Sequence, residues 1–331
     1  MTHFDVFNGD ADGICALHQL RLVTPTNAVL VTGVKRDIAL LRRVDARAGD
    51  AVTVLDVSAD VNRIDLLSLL ERRVHVQYFD HHFAGQLPVS AFLDAHIDPS
   101  PATCTSLLVD AYLNGAHRAW AIVGAFGDNL SRAARKRAET LGLDDAELTR
   151  LKELGENIAL NAYGDREQDL IVHPAELYRT LEPYINPLTY IDEAPLCRRL
   201  AEQKQVDLDM ARSVEPEVIL PGAELYVLGD EPWARRVQGV LANELANRAP
   251  ELAHAVLTIN RQGNYSVSLR APVASPTGAD TVCVQFDSGG GRASAAGINQ
   301  LARYDLALFA KAVNRAFPEP VRDSTISKTH D

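Results

Sequence analysis

The chain has 331 residues, which is long for one domain and sufficient for two. Apolar residues make up 47% of the sequence and charged residues 23%, values of an ordinary globular protein that exclude extensive disorder. The formal net charge of -11 disfavours a protein that holds long duplex DNA by neutralising its phosphates, although a small anion can still bind in a local basic pocket.

Four short apolar runs near the start of the chain predict β-strands, at His3–Phe7, 28–32, Ala51–Leu55 and 74–79. Helical patterns lie between them, for example at 13–22 and 61–70. Strands that alternate with helices are typical of right-handed βαβ units, which build a parallel sheet. The first part of the chain is therefore predicted to have an α/β fold.

The rest of the sequence predicts a helical extension and a second, smaller α/β domain. Residues 103–181 are mainly helical in pattern, and a charged helix is expected over about 194–214. Further strands are predicted at 224–228, 255–259 and Tyr265–Arg270. The predicted boundaries are a first domain at 1–185, a helical connector at 186–216, a second domain at 217–318 and a flexible tail at 319–331.

Four polar segments follow the predicted elements of the first domain: NGDADG at 8–13, LDVS at 55–58, FDHH at 79–82 and FGDN at 126–129. The first three come directly after strands. Because the carboxyl ends of parallel strands meet at one edge of a sheet, their side chains are expected to converge there. Carboxylates and an imidazole suit divalent cations, and a pair of such cations is typical of phosphoester chemistry.

Some polar residues near these segments have simpler interpretations. Thr103, Thr105 and Ser106 open a helical stretch, where hydroxyl residues usually cap the helix. Contact with a substrate or with the metal site is the alternative for these residues. His18 lies on the helix behind the first acidic segment and is expected to be a packing or supporting residue.

Taken together, these motifs resemble the DHH phosphoesterase superfamily, specifically its DHH–DHHA1 subfamily of RecJ-like and nanoRNase-like phosphodiesterases. The resemblance rests on the acidic segments, on the Asp-His-His tripeptide at 80–82 and on the distant motif GGGRASAAG at 289–297, and it covers most of the chain. It implies a parallel-sheet DHH domain with a helical extension, linked to a smaller α/β DHHA1-like domain.

The resemblance also implies a site for two divalent cations, usually Mn²⁺, with Mg²⁺ as the alternative. Asp56 would bridge the two ions and take part directly in catalysis. The first ion would bind Asp10 as well as Asp56. The side-chain carbonyl oxygen of Asn8 is a further candidate ligand of this ion, because relatives often have Asp or His near that position. The second ion would bind these ligands: Asp12, Asp56, His81 and Asp128.

Two neighbours of these ligands are given supporting or catalytic roles by the same resemblance. His82 would orient the phosphoryl group or protonate the leaving oxygen, since imidazole titrates near neutral pH. Asp80 is expected to orient a histidine or to support its loop rather than to bind metal.

Substrate contacts are expected from the second domain. Gly289, Gly290 and Gly291 would offer backbone N–H groups to a phosphate, as such a turn does well where it runs into a helix N-terminus. Arg292 and Arg270 would bind phosphate or a base. Position 292 departs from the family pattern, which usually has His there, and this departure weakens any proton-transfer role at that position.

The sequence therefore predicts a metal-dependent phosphodiesterase or exonuclease that acts on short single-stranded oligonucleotides or dinucleotides. The alternatives are a phosphatase for 3′-phosphoadenosine phosphate, a cyclic-dinucleotide phosphodiesterase, and a nucleotide-binding regulator with a degraded catalytic site. Acidic residues interrupt the start of the chain, no apolar run is long enough for a membrane span, and the cysteines form no CxxC pair. A cytoplasmic protein without membrane contact is expected.

Overall fold

The computed structural model describes residues 1–319, so most of the predicted tail at 319–331 lies outside the described residues. The chain divides into two compact units, Met1–Lys204 and Gln205–Asp331. The division falls inside the predicted helical connector. Among the described residues, no helix combines the length and apolar character needed to cross a membrane.

A five-stranded parallel sheet forms the centre of the first unit, with the strand order β2-β1-β3-β4-β5. The strands are β1 His3–Phe7, β2 Ala28–Val31, β3 Ala51–Leu55, β4 His75–Asp80 and β5 Leu93–Ile97. The predicted parallel sheet is confirmed, and β5 was not predicted. This strand carries a charged and an imidazole side chain in five residues, so its apolar pattern is weak.

Nine α-helices begin in the first unit, all of whose residues the structure describes: α1 Ala11–Val23, α2 Arg63–Glu71, α3 Thr105–Tyr112, α4 Arg118–Gly127, α5 Ser131–Ala138, α6 Asp145–Ala162, α7 Pro174–Leu181, α8 Pro187–Glu193 and α9 Pro195–Arg212. Short 3-10 turns lie at Leu41–Arg43 and Glu167–Asp169. The helical extension is as predicted, and α9 corresponds to the predicted connector helix.

Alternation along the strands separates two apolar cores on the two faces of this sheet. Val54 and Tyr78 belong to the core that α2 covers, whereas Leu55 and Phe79 belong to the core shared with α1, α3, α4 and α6. Because both faces are covered, the polar residues after β1, β3 and β4 remain at the open carboxyl edge, where ligands bind in such sheets.

The second unit is built on a mixed six-stranded sheet in the order β10-β11-β9-β8-β7-β6. Its strands are β6 Val218–Leu220, β7 Ala223–Val227, β8 Ala253–Ile259, β9 Tyr265–Arg270, β10 Gly289–Arg292 and β11 Ala295–Leu301. Its helices are α10 Pro232–Arg248, α11 Ala279–Cys283 and α12 Leu306–Ala316, with a 3-10 turn at Arg303–Asp305. Of the strands in the described part of this unit, only β7 and β8 pair in parallel, and α10 is the crossover between them. The smaller α/β unit is therefore as expected.

Candidate metal centre

The first acidic segment is shaped by the start of α1. Asp10 is the N-cap of this helix, and its Oδ1 accepts the backbone N–H groups of Asp12 at 3.0 Å and Gly13 at 3.2 Å. A Cβ at Gly13 would lie 2.3 Å from the Asn8 carbonyl oxygen, so this turn requires glycine. The capping geometry fixes the backbone that carries both predicted ligands, Asp10 and Asp12.

Asp12 is held by the N-terminus of α3. The N–H of Thr105 donates to Oδ2 of Asp12 at 2.7 Å, and the N–H of Ser106 donates to Oδ1 at 2.8 Å. The Ser106 hydroxyl donates to the same Oδ1 at 2.5 Å. Helix N-terminal amides stabilise a carboxylate, so these contacts orient and stabilise the buried Asp12 side chain.

Thr105 and Ser106 lie in the first turn of α3 and do not cap it with their side chains, so the capping interpretation is wrong for both. The N-cap of α3 is Cys104, which makes no side-chain capping hydrogen bond, and the two hydroxyls face the acidic cluster instead. The Thr105 hydroxyl donates to Oδ1 of Asp56 at 3.1 Å. Both residues position carboxylates of the candidate site.

Asp56 follows β3 in a left-handed backbone conformation, with φ of 59°. Non-glycine residues rarely adopt this conformation, and Asp tolerates it better than most. Its N–H donates to the carbonyl of Phe79 at 3.0 Å, which ties the end of β3 to the end of β4. The bend directs the buried Asp56 carboxylate toward the residues after β4.

In the Asp-His-His tripeptide at the end of β4, His81 lies among the acidic residues, whereas Asp80 and His82 form a pair beside them. Nε2 of His81 lies 3.4 Å from Oδ1 of Asp56 and 3.9 Å from Oδ2 of Asp12. Nδ1 of His82 is hydrogen-bonded to Oδ1 of the buried Asp80 at 2.7 Å. This hydrogen bond is the main cause that raises the pKa of His82 above its usual value.

Asp128 brings the fourth acidic segment to the same place. It is the C-cap of α4, and its Oδ2 lies 3.8 Å from Nε2 of His81. Burial, followed by the neighbouring Asp12 carboxylate, raises the pKa of Asp128 to about 7. Burial and the carboxylates of Asp12 and Asp10 likewise raise the pKa of Asp56. Several carboxylates therefore lie close together in a small, largely buried volume.

This donor set fits a divalent cation. Two groups of side chains have ligand atoms within 4.8 Å of one another: Asp12, His81 and Asp128, and Asp56, His81 and His82. Oxygens and nitrogens that share a cation at about 2.1 Å lie roughly 3 to 4 Å apart, as the atoms around Nε2 of His81 do. A cation here would also offset the charge that raises the pKa values of Asp56 and Asp128.

The Asp10 side of the cluster contains a residue that the sequence analysis did not identify. Nζ of Lys35 lies 2.5 Å from Oδ2 of Asp10 and 3.8 Å from Oδ1 of Asp128. Burial alone would lower the pKa of Lys35, but the Asp10 carboxylate outweighs this effect and holds that pKa well above its usual value. Lys35 follows β2 at the same carboxyl edge as the acidic segments, and this placement is the signal that could have revealed it.

The substrate residues predicted in the second unit lie together on its sheet. Arg292 pairs with Ala295, and Ala295 pairs with Arg270, so the two arginines flank a small residue on the same face. Nε of Arg270 donates to Oδ1 of Asn243 at 2.6 Å, which orients its guanidinium. The side chain of Arg292 is exposed.

The glycine motif differs in structure from the expected turn. The residues Gly289, Gly290 and Gly291 form part of the edge strand β10 rather than a turn that enters a helix. A Cβ at Gly289 would lie 1.8 Å from the Cys283 carbonyl oxygen, whereas Gly290 faces open space. An edge strand leaves backbone groups unpaired on its outer side, so the motif can still offer N–H groups to an anion.

Comparison with known proteins finds similarity in fold. No family model matches the sequence, and no curated protein matches it. An exonuclease RecJ bound to manganese aligns over 98% of this chain and 92% of its own, with a TM-score of 0.59 and 18% identity. RecJ from Thermus thermophilus, in complex with Mn²⁺, aligns over 97% of this chain and 53% of its own, with a TM-score of 0.58 and 18% identity.

A third solved structure is the pGpG-specific phosphodiesterase PggH from Vibrio cholerae. It aligns over 96% of this chain and 100% of its own, with a TM-score of 0.52 and 14% identity. At these identities the comparisons show a shared fold. The predicted fold class is confirmed, and the predicted resemblance to the DHH phosphoesterases is supported.

Proposed function

We propose that this chain is a metal-dependent phosphodiesterase or exonuclease of the DHH phosphoesterase superfamily that hydrolyses short single-stranded oligonucleotides or dinucleotides. The observation that carries the proposal is the convergence of three carboxylates on Nε2 of His81 at 3.4 to 3.9 Å. These residues come from four separate segments of the chain. Structural ion pairs do not require such a concentration of buried acids around one imidazole.

The residues that would hold the cation are Asp12, Asp56, His81 and Asp128. A divalent cation supplies Lewis-acid polarisation of a phosphoryl oxygen and a nucleophilic hydroxide at neutral pH. Manganese is the proposed ion and magnesium the alternative, because a donor set dominated by carboxylate oxygens suits both ions. The family resemblance implies two such ions, and their number is considered in the next subsection.

His82 is proposed to give a proton to the leaving oxygen. Asp80 engages Nδ1 of His82 and fixes the tautomer, so Nε2 is the nitrogen that remains for the substrate. The His82 side chain is 45% exposed, in contrast to the buried carboxylates beside it. It is therefore placed at the accessible side of the cluster, and Asp80 stabilises its protonated form.

The second unit is proposed to bind the substrate phosphate or a base through Arg270, Arg292 and the outer edge of β10. Two guanidiniums on one sheet face can bind a phosphate or stack on a base. The similarity in fold to a pGpG phosphodiesterase and to an exonuclease is consistent with a dinucleotide or a short single strand. A substrate of this kind needs no long basic surface, which agrees with the net charge of -11.

Hydrolysis of 5′-labelled RNAs of two to about twenty nucleotides, with Mn²⁺ present, tests this function. 3′-Phosphoadenosine phosphate and a cyclic dinucleotide complete the substrate panel. Release of mononucleotides, fastest from the shortest RNAs and lost in Asp56→Asn, is expected. The matched control Asp94→Asn removes an exposed carboxylate from β5 of the same sheet and should retain the activity.

Preferred turnover of 3′-phosphoadenosine phosphate or of the cyclic dinucleotide would replace the proposed substrate with the corresponding alternative. If folded, cation-loaded protein turns over none of these compounds, the hydrolase proposal fails and the regulator becomes the better account.

A further inference from the structure

We propose that the centre holds one divalent cation and that the Lys35 ammonium occupies the place where the family resemblance implies another. This inference rests on the proposed function only for the assignment of the remaining ion. The evidence is the set of contacts on the Asp10 side of the cluster, where Asp10 and Asn8, two of the groups expected to bind the first ion, already accept hydrogen bonds.

Asp10 has little capacity left for a cation. Its Oδ1 accepts the N–H groups of Asp12 and Gly13, and its Oδ2 accepts Nζ of Lys35 at 2.5 Å. The other candidate is Asn8, whose side-chain Oδ1 already accepts the backbone N–H of Asp10 at 3.3 Å. An ion at this position would lie beside the ammonium, and like charges at such short range repel strongly in a partly buried site.

Lys35 is held in this position by its surroundings as well as by Asp10. Its backbone N–H donates to the carbonyl of Ala162 at 3.0 Å, at the end of α6. Its own carbonyl accepts the side-chain amide of Asn8 at 3.3 Å. The ammonium also lies 5.7 Å from the centre of the Tyr163 ring, within the range of a cation–π interaction. These contacts fix the position of Lys35 within the centre.

The charges of the centre agree with a single ion. Four carboxylates, those of Asp10, Asp12, Asp56 and Asp128, carry four negative charges when ionised. One divalent cation and one ammonium supply three positive charges and leave one negative charge on this set, whereas two divalent cations and the ammonium would leave one positive charge. A lysine also has three N–H donors, so beyond its bond to Asp10 it can donate to a phosphoryl oxygen of the substrate.

Metal stoichiometry tests the inference independently of activity. Equilibrium dialysis against Mn²⁺ followed by metal analysis should give one ion per chain for the wild type and for Lys35→Arg, which keeps the charge. Lys35→Ala should bind a second ion, because Oδ2 of Asp10 then lacks its cationic partner. Electron paramagnetic resonance should show an isolated Mn²⁺ in the wild type and magnetic coupling in Lys35→Ala.

Two further variants test the inference even if Lys35→Ala folds poorly. Lys152→Ala removes a surface lysine that pairs with Glu156 on α6, and it should bind one ion as the wild type does. Asp10→Asn should also retain one ion, because Asn can still cap α1 and Asp10 is not a ligand in this inference. Loss of the ion in Asp10→Asn would overturn it.

The remaining outcomes separate this inference from the proposed function. Two ions in the wild type, or one ion in folded Lys35→Ala, would overturn the role of Lys35 and leave the hydrolase proposal intact. A wild type that binds no ion and hydrolyses no phosphodiester would contradict the proposed function itself.

Discussion

At the scale of single residues, the proposed metal centre depends on the side chains around the proposed ligands as much as on those ligands. Asp12 receives three hydrogen bonds from Thr105 and Ser106, and Asp80 fixes the ring of His82. These contacts keep the carboxylate of Asp12 and the imidazole of His82 in fixed orientations before any cation arrives. Mutation of a group in such a supporting position typically lowers metal affinity or activity by about 10- to 100-fold.

Ser106→Ala tests this support directly. Loss of the hydroxyl that donates to Asp12 at 2.5 Å should weaken Mn²⁺ binding by about 10-fold, while the backbone N–H contacts preserve the fold. Isothermal titration with Mn²⁺ measures the change. The control Ser213→Ala removes a hydroxyl that donates to the carbonyl of Met210, far from the acidic segments in sequence, and it should bind Mn²⁺ as the wild type does. Equal affinities in both variants would contradict the supporting role of Ser106.

The pair formed by Asp80 and His82 predicts a pH effect. Asp80 raises the pKa of His82, so Asp80→Asn should lower that pKa and reduce the protonated fraction near neutral pH. If His82 is the proton donor, the alkaline limb of the pH–rate profile should move to lower pH in the metal-loaded variant. An alkaline limb at an unchanged pH, measured under saturating Mn²⁺, would show that His82 is not the proton donor.

At the scale of elements, parallel strands explain why the sequence revealed so much of the site. Their apolar runs are clear, and the residues that follow them meet at one edge, so the placement of Asp12, Asp56 and His81 could be predicted. Lys35 was missed because it follows β2 by several residues and lies outside any acidic motif. The role of Thr105 and Ser106 depends on how α3 packs, which local sequence does not determine.

Two edge strands, β5 and β10, were not predicted from the sequence. β5 has a mixed polar pattern, and β10 consists of three glycines and an arginine, a composition that is unfavourable in strands. Both segments form strands because they pair with a neighbouring strand, and not because their residues favour strand structure. The glycine motif was accordingly expected as a turn, and tertiary pairing makes it a strand.

His18 on α1 is predicted to make the free energy of unfolding depend on pH. His18 is buried, donates through Nε2 to the carbonyl of Tyr184 at 2.9 Å, and packs edge-on against Trp120. Burial lowers the pKa of His18 to about 4. Because the folded pKa lies below the unfolded value of about 6.5, the unfolded state binds more protons as the pH falls from 6.5 toward 4, and stability is lost in that window.

The predicted loss from this histidine is about 2 kcal/mol in the free energy of unfolding between pH 7 and pH 5. His18→Gln should remove that pH dependence, whereas the exposed His75→Gln should keep it. Urea unfolding followed by Trp120 fluorescence in a Trp233→Phe background measures the first unit. The same pH dependence in His18→Gln and the wild type would show that His18 is not its source.

At the scale of the whole molecule, the chain combines a unit proposed to bind metal with a unit that presents two arginines on a sheet face. The first concentrates negative charge and the second offers positive charge, so the proposed tasks of cation binding and phosphate binding are divided between them. The pairing of Arg292 and Arg270 through Ala295 follows from strand register, which the sequence did not reveal.

Arg292→Ala tests this division of tasks. If Arg292 binds a substrate phosphate, its loss should raise KM for short RNAs by about 10-fold and leave Mn²⁺ affinity unchanged, since a charged hydrogen bond contributes about 1.5–3 kcal/mol. Steady-state kinetics with dinucleotides measures the effect. Arg315→Ala, which removes an exposed arginine from α12, serves as the control and should not raise KM. A KM in Arg292→Ala equal to that of the control would contradict the assignment.

The most direct measurement is anomalous diffraction at the manganese edge from crystals grown with Mn²⁺. We expect one anomalous peak per chain, enclosed by Asp12, Asp56, His81 and Asp128, with Nζ of Lys35 still bonded to Asp10. The absence of a peak among these four residues, in crystals where the protein is folded and Mn²⁺ is in excess, would contradict the metal centre on which the proposed hydrolysis depends.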